Sequence, residues 1–162
     1  MQEYEDVEIS VGDNIGGFTA ELLTNSPEVV SVAVQSPTGE SQPLSPARQG
    51  SSEEYRFLLE GTTVSISYSL GEFTRERELI FLRFTNPSKG IWRLRVYPEN
   101  YVTSRYHIWL PVTEFVQGDL FFLRSNPETT ITGPASAYAP ISVGGFNASD
   151  DSLYLDSGRG YN

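Results

Sequence analysis

Residues 64–70 have the sequence Val-Ser-Ile-Ser-Tyr-Ser-Leu, in which apolar side chains alternate with serines. Successive side chains of a β-strand point to opposite sides of the sheet, so a period of two predicts a strand with one buried and one solvated face. Val64, Ile66, Tyr68 and Leu70 are the expected buried side chains. The stretch therefore predicts a sheet that packs its apolar face against a second layer.

The same alternation recurs along the first 112 residues, where segments rich in Pro, Gly, Asn and Ser separate the apolar runs. The predicted strands are Val7–Val11, Gly17–Leu23, Val30–Val34, Tyr55–Leu59, Val64–Leu70, Glu78–Thr85, Ile91–Tyr97 and Tyr106–Leu110. Helix is scarce, and the best candidate is one short turn within Val112–Gly118, with Thr113 as its cap. About eight closely spaced strands predict an all-β protein, an antiparallel β-sandwich of jelly-roll type.

The composition changes after about Asn126. Residues 127–162 are rich in small residues, and only two short strands are expected there, Pro140–Val143 and Ser152–Leu155. Such a segment buries too little apolar surface to offset its own ordering entropy. We expect residues 1–126 to form the sandwich, and residues 127–162 to pack on it or to belong to another domain.

The charge balance argues against nucleic acid and membranes as partners. The chain of 162 residues carries 21 acidic and 11 basic residues, a formal net charge of −10. Phosphate backbones and anionic membrane surfaces repel such a chain. No apolar run approaches the ~20 residues that a membrane helix needs. The absence of cysteine excludes disulfides and thiolate chemistry within these residues, and the acidic N-terminus is unlike a signal peptide.

Residues 82–111 combine a turn with two tryptophan-containing strands. They include Asn86-Pro87, then Gly90-Ile91-Trp92-Arg93-Leu94-Arg95-Val96, and later Trp109-Leu110-Pro111. Pro87 and Gly90 suit a hairpin turn, and the alternation predicts that Trp92, Leu94 and Val96 are buried. The stretch resembles the pattern of accessory jelly-roll domains attached to or inserted in subtilisin-like serine proteases (subtilases).

Residues 130–161 carry a second resemblance to the same family. Ile141, Val143 and Gly144 match a buried subtilase strand of the form V-I-x-V-G-A, and Ser157-Gly158 match the later F-S-S-x-G element. Gly145 stands where the family has alanine, and Leu155-Asp156 stand where it has an aromatic residue and serine.

The order of these two elements resembles the subtilases of clostridia and related bacteria, including the germination proteases of clostridial spores. In that group a jelly-roll domain is inserted between the histidine and serine motifs. The resemblance implies that residues 127–162 are a short segment of the α/β catalytic core lacking the nucleophile. It also implies that Gly133, Pro134 and Ala135 line the substrate cleft, and that the bacterial parent is secreted, on the cell surface or spore-associated.

The residues that perform proteolysis are missing from the chain itself. A subtilase needs a Ser nucleophile, a His base and an orienting Asp, but the chain contains no His-Gly-Thr, Gly-Thr-Ser or Gly-Asn-x-Gly motif. His107 is the one histidine, and a lone imidazole favours a surface or interface residue over a catalytic or metal-binding one. We therefore predict no catalytic, cofactor-binding or metal-binding residue in this chain, and no cofactor.

Two groups of residues are compatible with ligand binding as well as with a simpler structural role. Asp13-Asn14, and Asp150-Asp151 with Asn147, are candidate calcium ligands, but no D-x-D-x-D-G series is present and turn formation is the preferred interpretation. The aromatic residues Trp92, Tyr97, Tyr101, Tyr106 and Trp109 are candidates for a sugar-stacking platform, and core packing is the preferred interpretation.

The sequence thus predicts a non-catalytic accessory domain that rigidifies a subtilisin-like serine endopeptidase and shapes access to its cleft. The expected partners are the remainder of its own protease domain and the propeptide, with a protein substrate for the parent. Two alternatives stay open: a carbohydrate- or calcium-binding β-sandwich module of a secreted protein, and an oligomerisation domain.

Overall fold

The chain divides into two compact units, Met1–Arg124 and Ser125–Asn162, in a computed structural model. The structure describes residues 4–25, 29–48, 50–70, 77–98, 105–130, 141, 143–155 and 157–160. Within these residues no helix is long and apolar enough to cross a membrane.

The described part of the first unit contains nine strands and one single-turn 3-10 helix at Thr113–Phe115. The strands are β1 (Glu5–Val11), β2 (Gly17–Asn25), β3 (Val30–Gln35), β4 (Ser52–Phe57), β5 (Thr62–Leu70), β6 (Arg77–Thr85), β7 (Gly90–Pro98), β8 (Tyr106–Trp109) and β9 (Leu120–Phe122).

These strands form two antiparallel sheets, one of four strands in the order β3-β7-β1-β9 and one of five in the order β4-β5-β6-β2-β8. The chain changes sheet at every connection except within β4-β5-β6. The predicted all-β antiparallel β-sandwich is confirmed, and all eight predicted strands are present. β9 was not predicted, because three residues are too few to display alternation.

The core lies between the two sheets and is centred on Trp92. The Trp92 ring meets Phe57 edge-on at 5.1 Å and Phe84 at 5.5 Å between ring centroids, and Phe84 stacks on Phe18 at 4.4 Å. Trp92, Leu94 and Val96 are buried, as the alternation predicted. Burying large aromatic rings dominates the energy of a core of this size.

One local prediction was wrong, and two others differ from the structure in their bounds. The strand predicted at Tyr55–Leu59 is β4, which ends at Phe57, and the next two leucines lie in a turn. The segment 86–89 is not a hairpin turn, because β6 and β7 belong to different sheets. Asn86, with a φ of 50°, lies in this crossover. The short turn predicted within Val112–Gly118 is the 3-10 turn at Thr113–Phe115, and Gly118, with a φ of 122°, lies outside the helical region.

The second unit has little regular structure in its described residues. A 3-10 turn at Pro127–Thr129 is capped by Asn126, whose side chain accepts from the Glu128 amide at 2.9 Å. A single bridge joins Phe146 to Leu153. No strand forms at Ser152–Leu155, which corrects that prediction, and the strand predicted at Pro140–Val143 lies partly outside the described residues. In this second unit the apolar residues Ile141, Val143 and Leu155 are at least 90% exposed.

Candidate interaction surfaces

His107 lies on β8 at the surface of the five-stranded sheet, opposite Leu23 of β2. Within the described ranges, no group of three His, Asp or Glu side chains is arranged to hold a metal ion. The predicted cleft residues Gly133, Pro134 and Ala135 lie outside the described residues.

The candidate calcium ligands take part in turns and a surface ion pair. Asp13 pairs with Lys89 at 2.6 Å, with both side chains well exposed. The Asp150 carboxylate accepts hydrogen bonds from the hydroxyl and the backbone amide of Ser152 at 2.8 and 3.1 Å, and these bonds lower the pKa of Asp150. Asn147 also contacts Ser152, through its side-chain amide at 2.8 Å. This geometry is that of a polar turn.

The five candidate platform rings are not on one surface. Trp92 is in the core, Tyr97 is on the outer side of the four-stranded sheet, and Tyr106 packs against the core between the sheets. Trp109 lies on the outer side of the five-stranded sheet, and Tyr101 is outside the described residues. The described rings therefore favour the core-packing interpretation over a sugar-stacking platform.

An apolar patch does occur on the outer face of the five-stranded sheet. The strand register places Leu79 opposite Leu23, and places both Phe81 and Trp109 opposite Glu21. All four apolar side chains are half-buried, without belonging to the core between the sheets. We call this set, Leu23, Leu79, Phe81 and Trp109, the outer-face patch.

The strand beside the outer-face patch presents only small side chains to the same side. Ser65, Ser67 and Ser69 of β5 lie opposite Arg83, Phe81 and Leu79 of β6. The Arg83 guanidinium lies 5.9 Å from the centre of the Phe81 ring, within cation–π range. This face therefore combines half-buried apolar side chains and serines with the exposed charged side chains of Glu21 and Arg83.

The outer face of the four-stranded sheet has the opposite character. Arg93 pairs with Glu8, and Arg95 with Asp6, each at 3.2 Å across β1 and β7. Such cross-strand ion pairs are typical of a sheet face that contacts water, and they stabilise the pairing of the two strands only modestly. The two faces of the sandwich therefore differ in character, although the whole chain is acidic.

The second exposed apolar feature is the turn that joins β4 to β5. Leu58 is 79% exposed and Leu59 is 73% exposed, at adjacent positions. The backbone amides of both donate to the Glu40 carboxylate, one to each oxygen, at 3.1 Å. Gly61 ends the turn with a φ of 67°, and its amide donates to the Phe57 carbonyl at 2.9 Å. We call Leu58–Gly61, with Glu40, the leucine turn.

A second carboxylate supports the leucine turn from the neighbouring loop. Glu60 accepts from the amide and hydroxyl of Thr38. Partial burial tends to raise the pKa of Glu60, but hydrogen bonds from Ser36 and Thr38 outweigh it and hold this pKa below its ordinary value. The carboxylate is therefore fully ionised near neutral pH and can hold the loop and the turn together.

Neither surface was identified from the sequence. β6 has apolar side chains on both of its faces. Leu79 and Phe81 alternate with its buried residues, so the pattern of alternation does not show that these two side chains point outward. Leu58 and Leu59 continue the apolar run of β4 and were predicted as strand residues. The signal for the turn is Glu60-Gly61, since Gly61 adopts the left-handed conformation that glycine tolerates.

The described strands of the first unit form an antiparallel β-sandwich of two sheets. No protein-family model matches the chain, and no curated protein sequence matches it. Among solved structures, the chain is similar to that of the Clostridium perfringens CspB protease, with 27% sequence identity and a TM-score of 0.80. The match covers 100% of this chain and 34% of that one, so the chain spans about a third of the protease it resembles. The chain therefore shares its fold with part of a protease.

Proposed function

We propose that this chain is a non-catalytic accessory domain of a subtilisin-like serine endopeptidase, inserted in the protease and adjoined by a short piece of its catalytic core. The observation that carries the proposal is the structural match to a protease over the whole of this chain but only a third of that protease. The motif order in residues 82–161 supports the same assignment.

A mechanical role suits the construction of the sandwich. Two layers share one core around Trp92, and the chain crosses between the sheets repeatedly, so the unit resists local opening. A rigid unit of this kind, packed against the protease and its propeptide, would hold the walls of the cleft and limit access to it. The hydrolysis itself would be performed by Ser, His and Asp residues of the parent that lie outside these 162 positions.

Residues 127–162 fit the same proposal. Three of the described apolar side chains of this unit, Ile141, Val143 and Leu155, are at least 90% exposed. A segment of a larger α/β core would place such side chains against strands and helices supplied by the rest of the parent. Gly133, Pro134 and Ala135 remain our candidates for its cleft-lining loop.

The binding-module alternative has less support from the described residues. Its best aromatic candidate, Trp92, is fully buried, and its candidate calcium loops form internal hydrogen bonds or an ion pair. Calorimetric titration with calcium and with soluble glycans would test this alternative directly, since saturable heat would favour it.

The proposal is tested by the reading frame that encodes the parent and by its activity. We expect an Asp motif and a His-Gly-Thr motif upstream of this segment and a Gly-Thr-Ser motif downstream. The purified parent should cleave a peptide substrate and lose this activity when the serine of the Gly-Thr-Ser motif is replaced by alanine. A parent without these motifs would refute the proposal.

A further inference from the structure

The leucine turn leaves two adjacent leucines exposed to solvent. Single exposed leucines are common on protein surfaces, but Leu58 and Leu59 are adjacent and each is more than 70% exposed. Here the backbone of the leucine turn is fixed by other contacts.

Those contacts hold the turn in one conformation. Both leucine amides donate to Glu40, which lies eighteen and nineteen positions earlier in the chain, and Glu60 accepts from Thr38. Hydrogen bonds to ionised carboxylates are among the stronger ones in proteins. The leucines therefore stand on a pre-organised backbone, which reduces the entropy lost when they enter a binding pocket.

We infer that the leucine turn is a docking element whose occupant is the remainder of the parent protease, so this inference rests on the function proposed above. The similar protease extends over about three times the length covered by the match, which leaves most of such a parent available to supply a pocket. Glu40 and Glu60 border the leucines, so the complementary surface is an apolar pocket with a basic or amide-rich rim.

The occupancy of the turn can be measured by thiol labelling of the full-length parent, because this chain contains no cysteine. Leu59→Cys replaces an exposed side chain and leaves the sandwich core intact. We expect its thiol to react with iodoacetamide more than about tenfold more slowly in the folded parent than in denaturant, as site-specific mass spectrometry reports. Labelling at the denatured rate would overturn the inference.

A stability measurement with a matched control provides the second test. Leu58→Ser combined with Leu59→Ser should lower the thermal inactivation temperature of the parent by several degrees. Phe115→Ser, which changes an equally exposed apolar side chain (85%) outside the turn, should leave it nearly unchanged. Equal losses in both variants would overturn the inference.

The two proposals fail in different ways. A reading frame without subtilase motifs would refute the accessory function and the docking partner together. A parent that is an active protease, but in which the thiol of Leu59→Cys reacts freely, would refute the docking element alone and leave the accessory function standing.

Discussion

The hydroxyl of Tyr68 donates a hydrogen bond to the backbone carbonyl of Ser45 over 2.6 Å. The same hydroxyl accepts from the Val32 amide at 3.3 Å. Tyr68 belongs to the five-stranded sheet and Val32 to the four-stranded one, so a single side chain links the two layers and the loop at the edge of β3. The phenol is buried, with 2% of the residue exposed.

Tyr68→Phe removes this link while keeping the ring. We expect the free energy of unfolding of the chain to fall by about 1–3 kcal/mol, because buried hydrogen-bonding groups lose a partner. Urea denaturation followed by circular dichroism measures the loss. Tyr97→Phe, on the outer face of the four-stranded sheet, is the control and should change stability by less than about 0.5 kcal/mol. Equal effects of the two substitutions would contradict the assigned role.

The same tyrosine predicts how stability depends on alkaline pH. Burial raises the pKa of Tyr68 from its ordinary value of 10 to about 12, because the phenolate is poorly solvated in the core. Burial also raises the pKa of Tyr106, and its hydrogen bond to Glu5 adds to the shift. A pKa raised on folding means that the stabilisation is complete below the unfolded value and is lost as pH rises through the folded one.

We therefore expect the Tyr68 contribution to fall between pH 10 and pH 12, with a slope of up to about 1.4 kcal/mol per pH unit. Urea denaturation at a series of alkaline pH values gives this slope. The difference between the native chain and Tyr68→Phe isolates it from other titrating groups. Parallel curves for the two proteins over this range would refute the assignment.

The two tryptophans offer a paired test of the core. Trp92 is fully buried against Phe57 and Phe84, whereas Trp109 is half-buried on an outer face. Trp92→Ala should cost about 3–5 kcal/mol, because it opens a cavity between the sheets. Trp109→Ala should cost about 1 kcal/mol. The Trp109 variant should also retain a blue-shifted emission from Trp92. A larger loss of stability for Trp109→Ala than for Trp92→Ala would mean that Trp109, and not Trp92, is the central core residue.

Two glycines with positive φ allow the cost of backbone strain to be compared with the added cost of a steric clash. Gly39 and Gly90 have φ values of 97° and 137°. A Cβ at Gly39 meets no atom within 4 Å, whereas one at Gly90 would lie 2.7 Å from the Pro37 Cβ. Gly39→Ala should cost about 1–2 kcal/mol from strain alone, and Gly90→Ala about 1–3 kcal/mol more from overpacking. Thermal denaturation of both variants gives the comparison, and similar midpoints would contradict it.

The sequence predicted the sandwich because its strands are long enough for a period of two to be visible. Val64, Ile66 and Tyr68 face the core as expected, and so do Trp92 and Leu94. β9 was not predicted, because it has only three residues. The sequence predicts a hairpin after Thr85 because turn residues indicate that the chain reverses, but not which sheet it enters next, and the structure has a crossover there.

The interaction surfaces were less predictable for a different reason. The leucine turn depends on Glu40, and nothing local to residues 57–61 indicates that a carboxylate eighteen positions away would fix their backbone. The outer-face patch requires the pairing of β2 with both β6 and β8, which is a property of topology and not of any one strand. Local patterns therefore predicted what is buried, and only the fold showed which apolar side chains remain outside.

Glu40→Ala tests whether the leucine turn is held as the structure indicates. The substitution removes both acceptors of the Leu58 and Leu59 amides, which then depend on water, so the turn should open more often while β4 and β5 remain paired. We expect hydrogen exchange of these two amides to accelerate by about tenfold or more, with a global stability loss of only about 1 kcal/mol. Hydrogen exchange followed residue by residue by NMR measures the exchange rates of the two amides.

Glu53→Ala, which removes an exposed carboxylate from β4, is the matched control and should leave the exchange of both amides unchanged. Unaltered exchange in the Glu40 variant would mean that the backbone of the turn is held by other contacts.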